Sequence, residues 1–498
     1  MARTRNVVRP SGAISPWPVA GPVAALIALP GGAAAGAILT GGVLWLLGLG
    51  DGSEVAYTIG GALGLWITWW PSLRAVRTHC LWAWTGTLVA AALVAPTAVL
   101  SSGESVRPVW SAPHDTQAGV SAVGSWYDDD GVVVRVREDT ATAFQADDGG
   151  IAWSWSPPGR ERICTLSRRT SGGIGVLGHT TDGKSCSAAI ALDLGTGREI
   201  WRSAMASVDR VLADQVPDLI AVTGETVVLP EARGWRAIGL SDGTDRWRAA
   251  TEEGCSPLLS DSDGRTVVTV DECGERAAPA LATYAGRDGR RLSRGQVPAV
   301  GAPRFLMVLS AAPLTLWVHE SDLRGTRAVL GYDERGDVRT TLPTDGPTGE
   351  IRILPGYSSA YLDVLEARPV RSAAVVGDTL VAAEVRSDDR RWVSSGNKPG
   401  YQSTRGRIAG FSLTSGTRLW SVDTDAEVEG VIRHEDEIWA IGGSKLTAVS
   451  SRTGLRTHEV ATRETDTRFP TDLWILQSGG YALVHADGGS AAPVTVLR

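Results

Sequence analysis

At 498 residues the chain is too long for one ordinary domain, unless that domain is a repeat array or a large propeller. Its charge is unevenly spread: the first 100 residues carry five arginines and two acids, net +3, whereas the remaining 398 hold 43 basic and 53 acidic groups, net −10. A charge-poor apolar head before an acidic, glycine-rich body points to a membrane anchor followed by a soluble domain, and an acidic body without a basic stripe excludes nucleic acid as the main partner.

Three apolar runs follow a short basic tail. The first extends from Val19 to Leu49 with an interruption at Pro30-Gly31-Gly32, the second from Val55 to Trp70, and the third from Leu81 to Leu100. A membrane-spanning helix needs about 20 apolar residues, so the expectation is a cytoplasmic tail over 1–18, a three-helix transmembrane region over 19–100, and an extracytoplasmic domain over 101–498. Arg3, Arg5 and Arg9 precede the first run, and Arg74 and Arg77 separate the second from the third. By the positive-inside rule both basic segments are cytoplasmic, so the protein is expected in the cell membrane, multi-pass, with everything after Leu100 outside. Trp69, Trp70, Trp82 and Trp84 flank the Arg74 loop, where an interfacial aromatic belt would sit in the lipid bilayer. A cleaved signal peptide is the poorer reading because two further spans follow. The pairs Gly32/Gly36 and Gly60/Gly64 have the spacing that lets helices pack closely, a spacing that a Gly/Ala-rich segment also produces by chance.

After residue 100 the pattern changes to short β-branched runs, such as 132–136 and 266–270, beside Asp-rich turns ending at Gly131, Gly183, Gly264 and Gly488. Such runs read as strands and Asp-Gly as a hairpin turn. No stretch has the period of a soluble amphipathic helix, so the body is expected to be all-β.

A turn glycine recurs at Gly149, Gly197, Gly243, Gly289, Gly336, Gly416 and Gly454, with spacings of 48, 46, 46, 47, 80 and 38. A period in the forties with several short strands per unit is a propeller signal. Four copies place a tryptophan four residues beyond the glycine, Trp153, Trp201, Trp247 and Trp420; the others have Ser293, Thr340 and His458 there. The glycine suits a positive φ, its polar neighbours suit turn hydrogen bonds, and the indole suits packing between blades. The 80-residue gap reads as one blade with an insertion that includes 387–400, with an extra degenerate blade as the alternative. Beyond Gly454 the chain offers three more strands, near 471–477, 480–485 and 492–498, and near the start Val106 to Ala112 resembles an outer strand with its own Trp110. Completing the last blade with that strand would join the two ends and remove a sheet edge. The expectation is an eight-bladed β-propeller, with seven blades as the alternative.

The best copy, Ala191-x-Asp193-x-x-Thr196-Gly197-x-x-x-Trp201, resembles the repeat of the PQQ-type (quinoprotein dehydrogenase-like) propellers, and as architecture the likeness extends over about 105–498. The chain looks like a membrane-anchored bacterial member of that family. The resemblance implies a scaffold shared by quinone enzymes and by non-enzymatic relatives, among them the propeller lipoprotein of the outer-membrane assembly machinery and extracellular sensor modules. Enzymes of the alcohol-dehydrogenase kind carry a disulfide of adjacent cysteines against the quinone, and acidic and amide ligands for Ca²⁺. This sequence has no Cys-Cys pair, and Asp261-x-Asp263-Gly264 falls short of a calcium loop. No PQQ, calcium or other cofactor is therefore expected, and no catalytic, cofactor-binding or metal residue is assigned.

Cys164, Cys186, Cys255 and Cys273 lie in the body placed outside the cell, where an even count suggests disulfides. Three pairings are open; Cys164–Cys186 with Cys255–Cys273 keeps each bridge within one repeat. The seven histidines are scattered without metal-ligand spacing, and neither a nucleophile elbow nor a phosphate loop is present. Arg160, Arg162, Arg168 and Arg169 read as a solvated blade edge, with an anionic envelope polymer as the functional alternative. The leading functional expectation is a binding or scaffold module for an envelope protein, peptide or glycan. A channel-sited enzyme, PQQ-dependent or otherwise, and an ectodomain sensor working with a separate signalling partner are the alternatives.

Overall fold

The computed structural model describes residues 104–498 other than 116–119, 121, 129, 160, 181–184, 209–217, 275–276, 300–302, 304, 321–323, 347–348, 355–370, 387–389, 396–397, 404–405, 464, 466–469 and 486–490. The tail and the three-helix region expected over 1–100, with Cys80, lie outside the described residues. No helix among the described residues is long and apolar enough to cross a membrane.

Val106–Arg498 forms one compact unit, an eight-bladed β-propeller of antiparallel sheets. Seven blades take their four strands in chain order. Blade 1 comprises Ala122–Asp128, Val132–Arg137, Ala141–Gln145 and Ile151–Trp155. Blade 2 comprises Arg162–Leu166, Ile174–Thr180, Cys186–Asp193 and Glu199–Val208. Blade 3 has Ala221–Val222, Thr226–Glu231, Gly234–Gly239 and Asp245–Ala250, and blade 4 has Ser256–Ser262, Thr266–Glu272, Ala280–Ala285 and Arg291–Gln296. Blade 5 has Phe305–Ala311, Leu314–His319, Arg327–Tyr332 and Val338–Pro343. Blade 6 has Ala373–Val376, Thr379–Arg386, Gly406–Ser412 and Arg418–Thr424, and blade 7 has Gly430–His434, Glu437–Gly442, Lys445–Ser450 and Arg456–Thr462.

Blade 6 accounts for the 80-residue gap as a single blade. Its second strand also pairs with Gly349–Arg352, and the hairpin Arg390–Ser395/Lys398–Ser403 is inserted before its third.

Blade 8 closes the ring. Pro470–Ile475, Tyr481–His485 and Val494–Leu497 come from the C-terminus, and the fourth strand is Pro108–Ser111, paired antiparallel to Val494–Leu497. The first strands of blades 8 and 1 touch, as do those of blades 3 to 8 in succession. Just after the closing strand, Asp115 receives both terminal nitrogens of Arg135 at 2.9 Å and ion-pairs with Arg137 at 2.9 Å. Arg135 also donates to the carbonyl of His485 in blade 8. Ring closure is thus secured by a strand and by buried charge.

The core is divided into eight apolar layers, one at each junction between blades. A repeat array of flat sheets has no single centre to bury, so each blade buries its two faces against its neighbours. The turn between third and fourth strands organises the outer part of these layers. In the turn at Gly197 (φ +70°), the Asp193 carboxylate accepts from the Thr196 N–H and hydroxyl, and the Gly197 N–H donates to the Asp193 carbonyl. A Cβ at Gly197 would fall 2.5 Å from the Trp153 ring, so the preceding blade's indole lies directly on the turn. Its N–H donates to the carbonyl three residues before the glycine, Leu194, at 2.7 Å.

The same latch recurs around the ring. Trp201 donates to Leu240, Trp247 to Gly286, Trp420 to Ser451, and Trp110 of the closing strand to Ala146, at 2.7–3.1 Å. From blade 5 to blade 6, Thr340 stands at the tryptophan position and its hydroxyl donates to the equivalent carbonyl, Leu413, at 2.5 Å. From blade 4 to blade 5 the backbones meet directly: a Cβ at Gly295 would fall 2.0 Å from the Gly336 carbonyl oxygen. From blade 7 to blade 8 the indole comes from the second strand, where Trp439 stacks on His458 at 5.8 Å and meets Tyr481 at 5.2 Å.

The disulfides are Cys164–Cys186 within blade 2 and Cys255–Cys273 within blade 4, the within-repeat pairing. Because successive strands reverse direction, first-to-second and third-to-fourth turns share one face of the propeller. Cys186, Cys255 and Cys273 sit at strand ends of the other face, and Cys164 lies within the first strand of blade 2.

Candidate functional site: the channel mouth

The turn glycines, Gly149, Gly197, Gly243, Gly289, Gly336, Gly416 and Gly454, all lie in third-to-fourth turns at the perimeter, together with Trp153, Trp201, Trp247 and Trp420 on the fourth strands. None of them, nor Asp193, Thr196 or a disulfide cysteine, lines the cavity bordered by residues of the first strands. That cavity, of about 490 Å³, opens where the first strands end, on the turn-glycine face. A volume of this size falls within the range of small-ligand sites.

Its wall divides into two parts. In one part Arg168, Asp261 and Arg371, from blades 2, 4 and 6, line the cavity, and Asp218 of blade 3 is joined to the two arginines by ion pairs. Arg168 Nε meets Asp218 at 3.0 Å, and Arg371 Nη2 reaches Asp218 at 3.6 Å and Asp261 at 3.8 Å. Arg371 therefore spans from blade 6 to blade 3, across the channel. Burial, helped by the neighbouring Asp218 carboxylate, pushes the Asp261 carboxyl above its ordinary value, against the pull of Arg371 and Arg168. The inner strands are also tied by backbone: Val431 N–H donates to the Arg371 carbonyl at 2.7 Å and Ser260 N–H to the Asp218 carbonyl at 2.6 Å.

The other part follows the arc of blades 7, 8, 1 and 2. Trp474 and Tyr127 form a tilted aromatic pair with centroids 6.4 Å apart. Trp474 Nε1 donates to Ser125 Oγ at 2.8 Å, and Ser125 donates to Asp472 at 2.7 Å. Tyr127 OH accepts from the Gln477 N–H. On one side of the pair, exposed Arg433 points its Nε at the carbonyl of Glu435, a residue held at φ +52°. On the other, exposed Arg169 passes over the two-residue first strand of blade 3 to the Ser262 carbonyl at 2.9 Å.

The sequence reading of the basic cluster is corrected here. Arg162 is a solvated edge residue beside Glu138, but Arg168 and Arg169 turn into the channel mouth, because the chain passes from the first strand into its turn between them. Arg160 lies outside the described residues. Asp218, Asp261, Arg371, Arg433, Asp472, Trp474 and Tyr127 carried no sequence signal as a group, because they come from separate blades. The one available clue was positional: most lie at or near the end of a first strand.

Among the described residues neither disulfide reaches the cavity, Asp261 is engaged by Arg371, and the Asp263 carboxylate holds the N–H groups of Arg265 and Thr266. No group of three His, Cys, Asp or Glu among the described residues is placed to hold a metal ion. A second cavity, about 190 Å³ between blades 6 and 7, is lined by Lys445 paired to Asp425 and Glu459 and by Arg456 paired to Glu459.

No family model and no curated protein matches the sequence. Solved structures do match. The computationally designed Ika8 protein is 12% identical with a TM-score of 0.46, covering 79% of this chain and 99% of that one. BamB from Moraxella catarrhalis is 14% identical with a TM-score of 0.40, covering 76% and 99%. Quinohemoprotein alcohol dehydrogenase from Comamonas testosteroni is 13% identical with a TM-score of 0.42, covering 79% and 75%. At such identities the likeness concerns the fold alone.

Proposed function

We propose that this protein is a membrane-anchored, extracytoplasmic propeller of the PQQ-like kind that holds an envelope partner, a protein, peptide or glycan, at its channel mouth. The observation that carries this reading is the cavity of about 490 Å³ whose wall is braced by cross-channel ion pairs and whose outer arc presents half-buried aromatic rings and exposed guanidinium groups. A braced wall beside a chemically mixed arc is the form of a binding site, in which preorganisation limits the entropy lost on association. The anchor is supported by the apolar runs of 19–100 and the arginine asymmetry. The extracytoplasmic placement is supported by two disulfides, which persist in oxidising compartments. The work proposed is recognition, with no catalytic step and no cofactor.

The test is site-specific photocrosslinking of the full anchored chain in its own cells, with the crosslinker at Thr170 on the mouth or at exposed Ile151 on the perimeter. Adducts from Thr170 and none from Ile151 are expected. Adducts from Ile151 alone would overturn the assignment of the mouth as the site.

A further inference from the structure

The outer arc of the mouth has a definite chemical order. Going round the ring through blades 7, 8, 1 and 2, the lining side chains are Arg433, Trp474, Tyr127 and Arg169, with Asp472 beside the rings. Each ring is fixed by a hydrogen bond, Trp474 through Ser125 and Tyr127 through the Gln477 N–H. Each arginine has its Nε on a backbone carbonyl, which orients the guanidinium without neutralising it. Among the described residues neither Arg169 nor Arg433 forms an ion pair, whereas Arg168 and Arg371 do. Both rings are half-buried against the apolar layer between blades 8 and 1 and keep their remaining surface on the cavity, so the mouth offers two positioned positive groups on either side of an aromatic shelf.

Resting on the reading of the mouth as a binding site, we infer that its ligand is an acidic glycan. The C–H faces of sugar rings lie on Trp474 and Tyr127, sugar carboxylates meet the terminal nitrogens of Arg433 and Arg169, and a sugar hydroxyl donates to Asp472. Planar guanidinium groups match carboxylates in two-point hydrogen bonds, so these arginines select for acid groups. A neutral glycan would leave both without a counter-ion in the site. One mode of peptide docking, addition to a free strand edge, is closed between blades 3 and 4 and between blades 6 and 7, whose inner segments are already joined through Ser260 to Asp218 and Val431 to Arg371; an acidic peptide meeting the two arginines is separated from the glycan by the poly-glutamate arm of the test below.

The experiment is calorimetric titration of the full-length protein in detergent with a short galacturonate oligomer, its carboxyl-reduced neutral form, and poly-glutamate. Saturable binding of the galacturonate oligomer alone is expected, weakening as salt is raised. Arg433→Ala should weaken it by about tenfold or more, with partial recovery in Arg433→Lys. Trp474→Ala should do the same if it folds; exposed Arg433 decides the matter if it does not. Equal binding of the neutral form, equal or tighter binding of poly-glutamate, or undiminished binding by Arg433→Ala would each overturn the acidic-glycan assignment. Absence of galacturonate binding together with crosslinks from Thr170 would remove the glycan class and leave the site; absence of both would remove the site as well.

Discussion

The perimeter and the channel of this propeller are built from the same blades by opposite rules. At the perimeter, five tryptophans and one threonine make one and the same bond, to the carbonyl three residues before a turn glycine. In the channel the repeat is not kept: among the described residues Arg168, Asp218, Asp261 and Arg371 come from four blades and form one connected group. Repetition gives each blade a way to attach to the next, and it costs nothing in specificity because every junction has the same task. A site needs unlike groups to converge, so it must come from positions where the repeat has diverged.

Breaking the perimeter should give the largest loss of stability. Trp201 is buried between blades 2 and 3 and bonds Leu240 at 2.7 Å. Trp201→Ala is expected to cost about 3–5 kcal/mol, measured by denaturant unfolding. A cost below about 1 kcal/mol would show that the latch is dispensable.

The ring closure comes next. Asp115→Ala leaves two buried guanidinium groups without their shared carboxylate, an expected loss of about 3 kcal/mol. Burial opposes the Asp115 charge, but the hydrogen bonds and charges of Arg135 and Arg137 outweigh it and hold the carboxyl below its ordinary value. Its contribution is therefore present above the unfolded-state value of about 4 and is lost as pH falls through the depressed native value. Unfolding curves of wild type and Asp115→Ala should converge in acid; a constant gap from pH 7 down to strong acid would contradict the ion-pair account.

Asp271 works in the other direction. Burial pushes its carboxyl up to about 6, although the Trp235 indole N–H donates to it at 2.7 Å. The native state holds this proton more tightly than the unfolded chain, so the stability associated with it is full below about pH 4 and lost as pH rises through 6. Asp271→Asn keeps the acceptor oxygen and removes the charge; it should stabilise the protein at pH 7 by up to about 3 kcal/mol and flatten the profile between pH 4 and 6. Destabilisation at pH 7 would show that the charge is needed.

The channel mouth supplies the smallest effect on stability. Exposed Arg433 makes one backbone bond, so Arg433→Ala should change unfolding by no more than about 0.5 kcal/mol. A larger loss would erase the separation between structural perimeter and binding mouth.

The same contrast sets how much was legible beforehand. The turn glycines, four of the docking tryptophans, the disulfide pairs and the closing strand at Trp110 announce themselves in sequence, because each is a local pattern or a repeat of one. Thr340 and Trp439 were not readable as latches, since one keeps only the hydrogen bond and the other comes from a different strand. In sequence Arg168 and Arg169 read with Arg160 and Arg162 as one solvated edge, and sequence distance says nothing about which way a chain turns at a strand end. Asp218 and Arg371 are 153 positions apart and meet only because the ring brings blades 3 and 6 to a common axis.

The division between a structural perimeter and a recognising mouth is tested most directly by a double comparison. Unfolding midpoint and partner crosslinking from Thr170 would be measured together for Trp201→Ala and Arg433→Ala. The expected result is a lowered midpoint with unchanged crosslinking, at a temperature where the variant is folded, for Trp201→Ala, and an unchanged midpoint with diminished crosslinking for Arg433→Ala. Loss of crosslinking in folded Trp201→Ala together with full crosslinking in Arg433→Ala would contradict the account.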